Sequence, residues 1–145
     1  MDIQSLGLTH RYGNDQVLSD INLAIDGSKF TAIIGESGSG KTTLLSLLST
    51  LLKPTSGEIL FDNVSYKNIS DMNEFRRKNI GFVFQFHYLI PYLSLIENIQ
   101  LAAYEPSKAI HLLQDLGIEH LQKRYSDQVS GGERQRAAIA RALIN

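Results

Sequence analysis

The apolar positions of this chain change their spacing several times, and the changes outline its elements. Residues 2–11 mix apolar and polar types loosely, with the β-compatible Ile3, Leu6, Leu8 and Thr9, and Tyr12-Gly13-Asn14-Asp15 is a turn signal. From Val17 to Ile25 the alternation is cleaner: Val17, Ile21, Leu23 and Ile25 are apolar, and Ser19, Asn22 and Ala24 are polar or small. That pattern predicts a second strand, antiparallel to the first, before a turn at Asp26-Gly27. Phe30-Thr31-Ala32-Ile33-Ile34 is an unbroken apolar run, the kind expected of a strand buried on both faces of a parallel sheet. A helical period then takes over in residues 42–52, where Leu44, Leu45, Leu47, Leu48 and Leu51 precede the terminator Lys53-Pro54. Further strands are predicted over 57–61 and 80–84. Helices are predicted over 68–78 (capped by Ser70 or Asp71), 94–103, 106–116 and 118–124, and from Ser130-Gly131 to the end. Strands dominate the first third and helices the last, so the expected fold class is α/β, arranged as two lobes.

Composition changes this picture little. At 145 residues with 43% hydrophobic content, one domain with an ordinary core is expected. A net charge of −1 makes no electrostatic case for binding nucleic acid or a membrane surface. The absence of cysteine excludes a disulfide framework, a thiolate metal site and a Cys nucleophile, and is in keeping with the cytosol. Met1-Asp2-Ile3-Gln4 lacks the basic and apolar regions of a signal peptide, and no apolar run reaches the length of a membrane span. Any membrane role is therefore expected to run through a partner.

The chemistry concentrates in two glycine-bearing segments. Gly35-Glu36-Ser37-Gly38-Ser39-Gly40-Lys41-Thr42-Thr43 fits the P-loop pattern of Gly, four residues, Gly, Lys and then Ser or Thr. Glycines at 35, 38 and 40 let successive backbone N–H groups turn inward onto an anion, and the following helix adds the positive end of its dipole. Lys41 supplies a point charge for β- and γ-phosphates, and the Thr42 hydroxyl is a ligand for Mg²⁺. The bland alternative, a glycine-rich turn with a chance lysine, is disfavoured by the apolar run before the loop and the long helix after it.

The second segment is Val129-Ser130-Gly131-Gly132-Glu133-Arg134-Gln135-Arg136, at the start of the last helix. Taken alone it reads as an ordinary capped helix with Glu133 in the first turn. Beside a P-loop, a second helix start rich in free N–H groups suggests a phosphate gripped from two sides.

Together these segments resemble the ATP-binding subunit of ABC transporters. Val129-Ser130-Gly131-Gly132-Glu133 is similar to the family's signature motif, commonly LSGGQ, with Val129 for Leu and Glu133 for Gln. Gln85, after Gly81-Phe82-Val83-Phe84, matches the Q-loop, and Tyr12 matches the aromatic residue on which adenine stacks, with Val17 beside the base. The run Phe75 to Phe86 and the region Leu89 to Asn98 resemble subunits of the lipoprotein-releasing and macrolide-export type. The resemblance implies one nucleotide-binding domain, with a β subdomain and P-loop core in residues 1–85, a helical subdomain in 86–130 and a signature helix in 131–145.

The resemblance also implies a site. ATP would be held by Tyr12, Val17, Gly35, Glu36, Ser37, Gly38, Ser39, Gly40, Lys41, Thr42 and Thr43, and Mg²⁺ by Thr42 and Gln85. Gln85 would position metal or water, and no residue of this chain is expected to be catalytic in its own right. Ser130, Gly131, Gly132 and Glu133 would act on the nucleotide of a second copy, in a homodimer or pseudo-dimer paired head to tail. The implied partner is a membrane permease subunit, with no nucleic acid, and the implied place is the cytoplasmic face of the membrane. Leu89, Ile90, Pro91, Tyr92 and Leu93 are either core or a surface for that permease. Arg134 and Arg136 read as helix-surface charges, and His10, His87, His111 and His120 as incidental.

Two other readings compete. Relatives that act on DNA carry a long coiled coil between Q-loop and signature, for which the stretch from Gln85 to Ser130 is too short. Ribosome-associated relatives usually carry two such domains. A third reading is a truncated, non-catalytic nucleotide-binding fragment. The family continues past its signature helix into a Walker B strand ending in Asp-Glu and then a switch histidine, and no such pair occurs in these residues. Glu36 lies within the P-loop and Asp62 follows a peripheral strand. The expectation is an incomplete domain, with a gap in its sheet, that does not hydrolyse ATP alone.

Overall fold

The structure, a computed structural model, describes all 145 residues. They form two compact units, Met1–Arg76 and Arg77–Asn145.

The first unit is built on an antiparallel sheet of order β2-β1-β3-β4. Its strands are β1 (Ile3–Tyr12), β2 (Asp15–Ile25), β3 (Ser56–Phe61) and β4 (Val64–Ser65). The loose pattern of residues 2–11 has a local cause. The β1–β2 ladder pairs Ser5 with Leu23 and then Leu8 with Ile21, and the register shift between them flips the strand's parity. Ser5 and Leu8 are consequently both buried although an odd number of steps separates them. Gly57 on β3 answers this irregularity: it holds φ +85, and a Cβ there would stand 2.4 Å from the Gly7 carbonyl oxygen. Helix α1 (Lys41–Leu48) buries Leu44, Leu47 and Leu48. It stops before Lys53-Pro54, at Ser49 and a left-handed Thr50 (φ 60), so it is shorter than the leucine spacing predicts. A 3₁₀ turn at Tyr66–Asn68 precedes α2 (Met72–Asn79), which crosses into the second unit. Of the two predicted caps, Asp71 is the one used: its Oδ1 accepts from the N–H groups of Asn73 and Glu74, each at 3.0 Å.

The second unit is helical. Around one core stand α3 (Leu95–Gln100), α4 (Lys108–Asp115) and α5 (Gly131–Leu143), with 3₁₀ turns at Glu119–Leu121 and Ser126–Gln128. The core holds Leu95, Ile99, Ala109, Leu113, Ile118, Ala137 and Ala140, all fully buried. The predicted helices over 94–103 and 106–116 are thus shorter than expected, and that over 118–124 is a single 3₁₀ turn. Helices α3 and α5 open alike. Ser94 and Ser130 each accept from the N3 amide while Glu97 and Glu133 accept from the serine's N–H, a reciprocal capping box.

Asn98 organises the loop before α3. It is 1% exposed. Its Oδ1 accepts from Ile90 N at 2.6 Å, and its Nδ2 is shared among the carbonyls of Ile90, Leu93 and Ser94 at 3.0–3.1 Å. Alanine at this position strands several polar groups in a part-buried loop. Asn98→Ala is expected to lower unfolding stability by about 2–3 kcal/mol, read by denaturant titration.

Two predicted strands do not form. Residues 30–34 have no ladder partner, and Phe30 and Ile34 stand out in solvent. Residues 80–84 are also irregular; Phe82 and Phe84 meet one another with ring centroids 4.3 Å apart. A strand exists only through its neighbours, and the sheet that these 145 residues build uses none of these ten as a rung.

Candidate functional site

The P-loop lies in the first unit, between the irregular run 30–34 and α1. Gly35, Gly38 and Gly40 all take positive φ. Gly40 is constrained twice over: it is the residue preceding α1, with φ 89, and a Cβ on it would stand 2.8 Å from Leu18 Cδ2 and 3.2 Å from the Val17 carbonyl. The loop is therefore seated directly on β2, and Val17 is brought to its edge as expected. No side chain caps the start of α1, in contrast to α3 and α5. A helix that begins at an exposed loop with uncapped N–H groups and aligned dipole is a standing invitation to an anion.

Lys41 Nζ folds back over the loop. It donates to the Gly35 carbonyl at 2.9 Å, to the Glu36 carbonyl and to Ser39 Oγ at 3.3 Å. The cation is thus held at the loop's mouth by neutral acceptors and is not neutralised by a carboxylate. Glu36, Ser37, Gly38, Ser39 and Thr42 are exposed, and Thr43 is half-buried. Tyr12, the last residue of β1, is 50% exposed. The site is an open cradle. The concavities of about 450 and 510 Å³ elsewhere in the two units include no P-loop residue.

In the second unit, Gln85 is exposed in a turn, and the segment beyond it is shaped by two left-handed residues, His87 (φ 57) and Tyr88 (φ 44). Arg141 on α5 pins both, donating to the His87 and Tyr88 carbonyls at 2.7 Å. Burial pulls this guanidinium below its ordinary pKa, through loss of hydration. Sequence reasoning missed Arg141, because nothing in α5 marks which arginine reaches a loop fifty residues back. Arg134 is likewise not a free surface charge: it donates to the Ser126 and Val129 carbonyls at 3.0 and 2.9 Å and ties down the segment before α5. Arg136 is exposed. The apolar segment 89–93 divides. Leu89 packs against the helical core, whereas Pro91 and Tyr92 face solvent.

At the second glycine segment, Ser130 Oγ and N both meet Glu133 Oε2, at 2.8 and 2.7 Å. Those bonds hold the Glu133 carboxyl below the usual range, the backbone N–H contributing most. Gly131 and Gly132 carry no backbone conformation that demands glycine, and a Cβ on Gly132 would meet nothing within 4 Å. The bare surface they leave is open to close approach from outside.

A glycine loop seated on a sheet, an uncapped helix start and an unneutralised lysine define a P-loop nucleotide-binding protein of mixed α/β architecture. The comparisons narrow the class. The family described as ABC transporter matches residues 18–145. Two lipoprotein-releasing system ATP-binding proteins, both LolD, are similar. That of Bacteroides fragilis is 42% identical, covering 96% of this chain and 69% of its own length. That of Desulfotalea psychrophila is 44% identical, covering 88% and 62%. Among solved structures, the dimeric form of the bacterial ABC transporter cassette MJ0796 superposes with a TM-score of 0.89 at 37% identity, covering 99% of this chain and 69% of that one. Its dimeric post-hydrolysis state bound to ADP and Pi gives a TM-score of 0.88 at 35% identity with the same coverage. The chain belongs to the ABC transporter family and has the ATP-binding cassette fold. It spans roughly two thirds of the length of these relatives.

Proposed function

We propose that this chain is the nucleotide-binding part of an ATP-driven transport subunit of the lipoprotein-releasing type, working with a membrane permease. The carrying observation is the P-loop, whose helix N-terminus is free of any side-chain cap while Lys41 waits on neutral oxygens. Phosphates would take the place of the loop's own carbonyls at Lys41 Nζ and meet the N–H groups of residues 38–43. Thr42, exposed and without a capping duty, would give its hydroxyl to Mg²⁺, which neutralises phosphate charge when bound. Tyr12 would stack on adenine, with Val17 beside it. Gln85 keeps the role that its place in the motif order implies, a neutral amide for metal or water. The resolved solved relatives are dimers, and this supports a head-to-tail pair in which Ser130, Gly131, Gly132 and Glu133 serve the partner copy's nucleotide. No helix is long and apolar enough to cross a membrane, so coupling would pass through surface residues such as Tyr92.

The reading predicts saturable, Mg²⁺-dependent binding of ATP by calorimetry. Ser130→Arg should leave that binding within about twofold of the parent, since the serine serves the opposite nucleotide, while abolishing ATP-induced pairing in sedimentation. Absence of saturable ATP binding would overturn the nucleotide-binding reading. Loss of binding in a monomeric Ser130→Arg variant would overturn the head-to-tail one.

A further inference from the structure

His10 is buried, 7% exposed, and neither Nδ1 nor Nε2 has a hydrogen-bond partner. Buried polar atoms are nearly always satisfied, so an imidazole with both nitrogens orphaned requires an account. Its nearest aromatic neighbour is Tyr12, two residues on along β1. The ring centroids lie 4.7 Å apart and the planes are at 84°, an edge-to-face pair. Across the ladder His10 faces Leu18, and Leu18 Cδ2 in turn underlies Gly40 of the P-loop. His10 therefore neighbours both the leucine that underlies the loop and the tyrosine ring.

We propose that His10 is a positioning residue for adenine recognition: it braces the half-exposed Tyr12 ring in the orientation that a purine base stacks on. A half-exposed tyrosine at the last residue of β1 would otherwise spread over several rotamers, and each base bound would have to order it first. The brace moves that ordering cost into the fold. It touches no phosphate, so its effect belongs to the base alone. The proposal deepens the nucleotide-binding reading above and rests on its assignment of Tyr12.

The test measures dissociation constants for Mg²⁺-ATP and for Mg²⁺-tripolyphosphate, which lacks a base, in the parent, His10→Ala, His10→Phe, Tyr12→Ala and the His10→Ala/Tyr12→Ala double variant. His10→Ala should weaken ATP roughly two- to tenfold, the scale of one aromatic pair, and leave tripolyphosphate unchanged. His10→Phe keeps a ring beside Tyr12 and should restore ATP affinity. In the Tyr12→Ala background His10→Ala should cost nothing further, because nothing remains to brace. A His10→Ala variant that binds ATP like the parent, or that loses ATP and tripolyphosphate alike, overturns the brace even if Tyr12→Ala behaves as a stacking residue should. If Tyr12→Ala itself leaves the ratio of the two affinities unchanged, the stacking assignment falls and the brace falls with it.

Discussion

Lys41→Ala is expected to weaken ATP binding by about 1–3 kcal/mol, roughly 5- to 150-fold, as measured by calorimetry. Lys41 is the one mobile cation of the loop, and its three contacts are neutral oxygens of Gly35, Glu36 and Ser39. A phosphate competes well against such acceptors, because it adds a full opposite charge to a bond in which so far only the ammonium is ionised. The same contacts pull the loop together, so the alanine variant also frees the carbonyls that the ammonium gathers. Both effects lower affinity. Equal affinity of variant and parent would remove the P-loop assignment.

The polypeptide of residues 1–145 is expected to show no ATP turnover above background in a phosphate-release assay. Hydrolysis needs an in-line water, a group to polarise it and a held Mg²⁺. The two carboxylates that follow apolar runs, Glu36 and Asp62, are otherwise placed. Glu36 is an exposed side chain of the P-loop itself. Asp62 lies in the β3–β4 turn at φ 47, and its Oδ1 accepts from Asp2 N at 2.7 Å. Each missing acid–base or positioning group costs about 10²–10⁴-fold. Phosphate release that requires both Lys41 and Mg²⁺ would show that one of these acids acts as the base after all.

The two strand predictions that failed explain what a sequence can report. Phe30-Thr31-Ala32-Ile33-Ile34 has the composition of a strand covered on both faces, and that composition records the neighbours such a run requires. It does not say that those neighbours lie within the same 145 residues. Local devices were read better: the antiparallel β1–β2 pair and the start of α5 at Ser130 with Glu133 in its first turn depend on a few adjacent residues. The glycine loop was legible for the same reason, since its conformation is written in its own Gly35, Gly38 and Gly40. Asn98, Arg134 and Arg141 were not, because each satisfies backbone carbonyls chosen by the path of the loop and not by any motif. The β1 bulge was visible only as an untidy alternation. His10 reads as incidental in the sequence because the features that set it apart, the orphaned ring nitrogens and the perpendicular Tyr12, come together only in the fold.

The paired serine–glutamate starts of α3 and α5 give the second unit a proton inventory of its own. Bonds from the Ser94 hydroxyl and N–H hold Glu97 below the usual carboxylate range, as those from Ser130 hold Glu133. In the unfolded chain both groups return to ordinary carboxylates, so unfolding in mildly acid solution takes up protons. The sign follows from that uptake. The contribution is complete above the ordinary carboxylate range and fades as pH falls through the lowered values. Acidification thus loosens the entrances of two helices at once, one of them carrying the Gly131-Gly132 surface, and in the first unit it also weakens the Asp26–Ser28 turn that follows β2, where the Ser28 hydroxyl and N–H hold the carboxyl low.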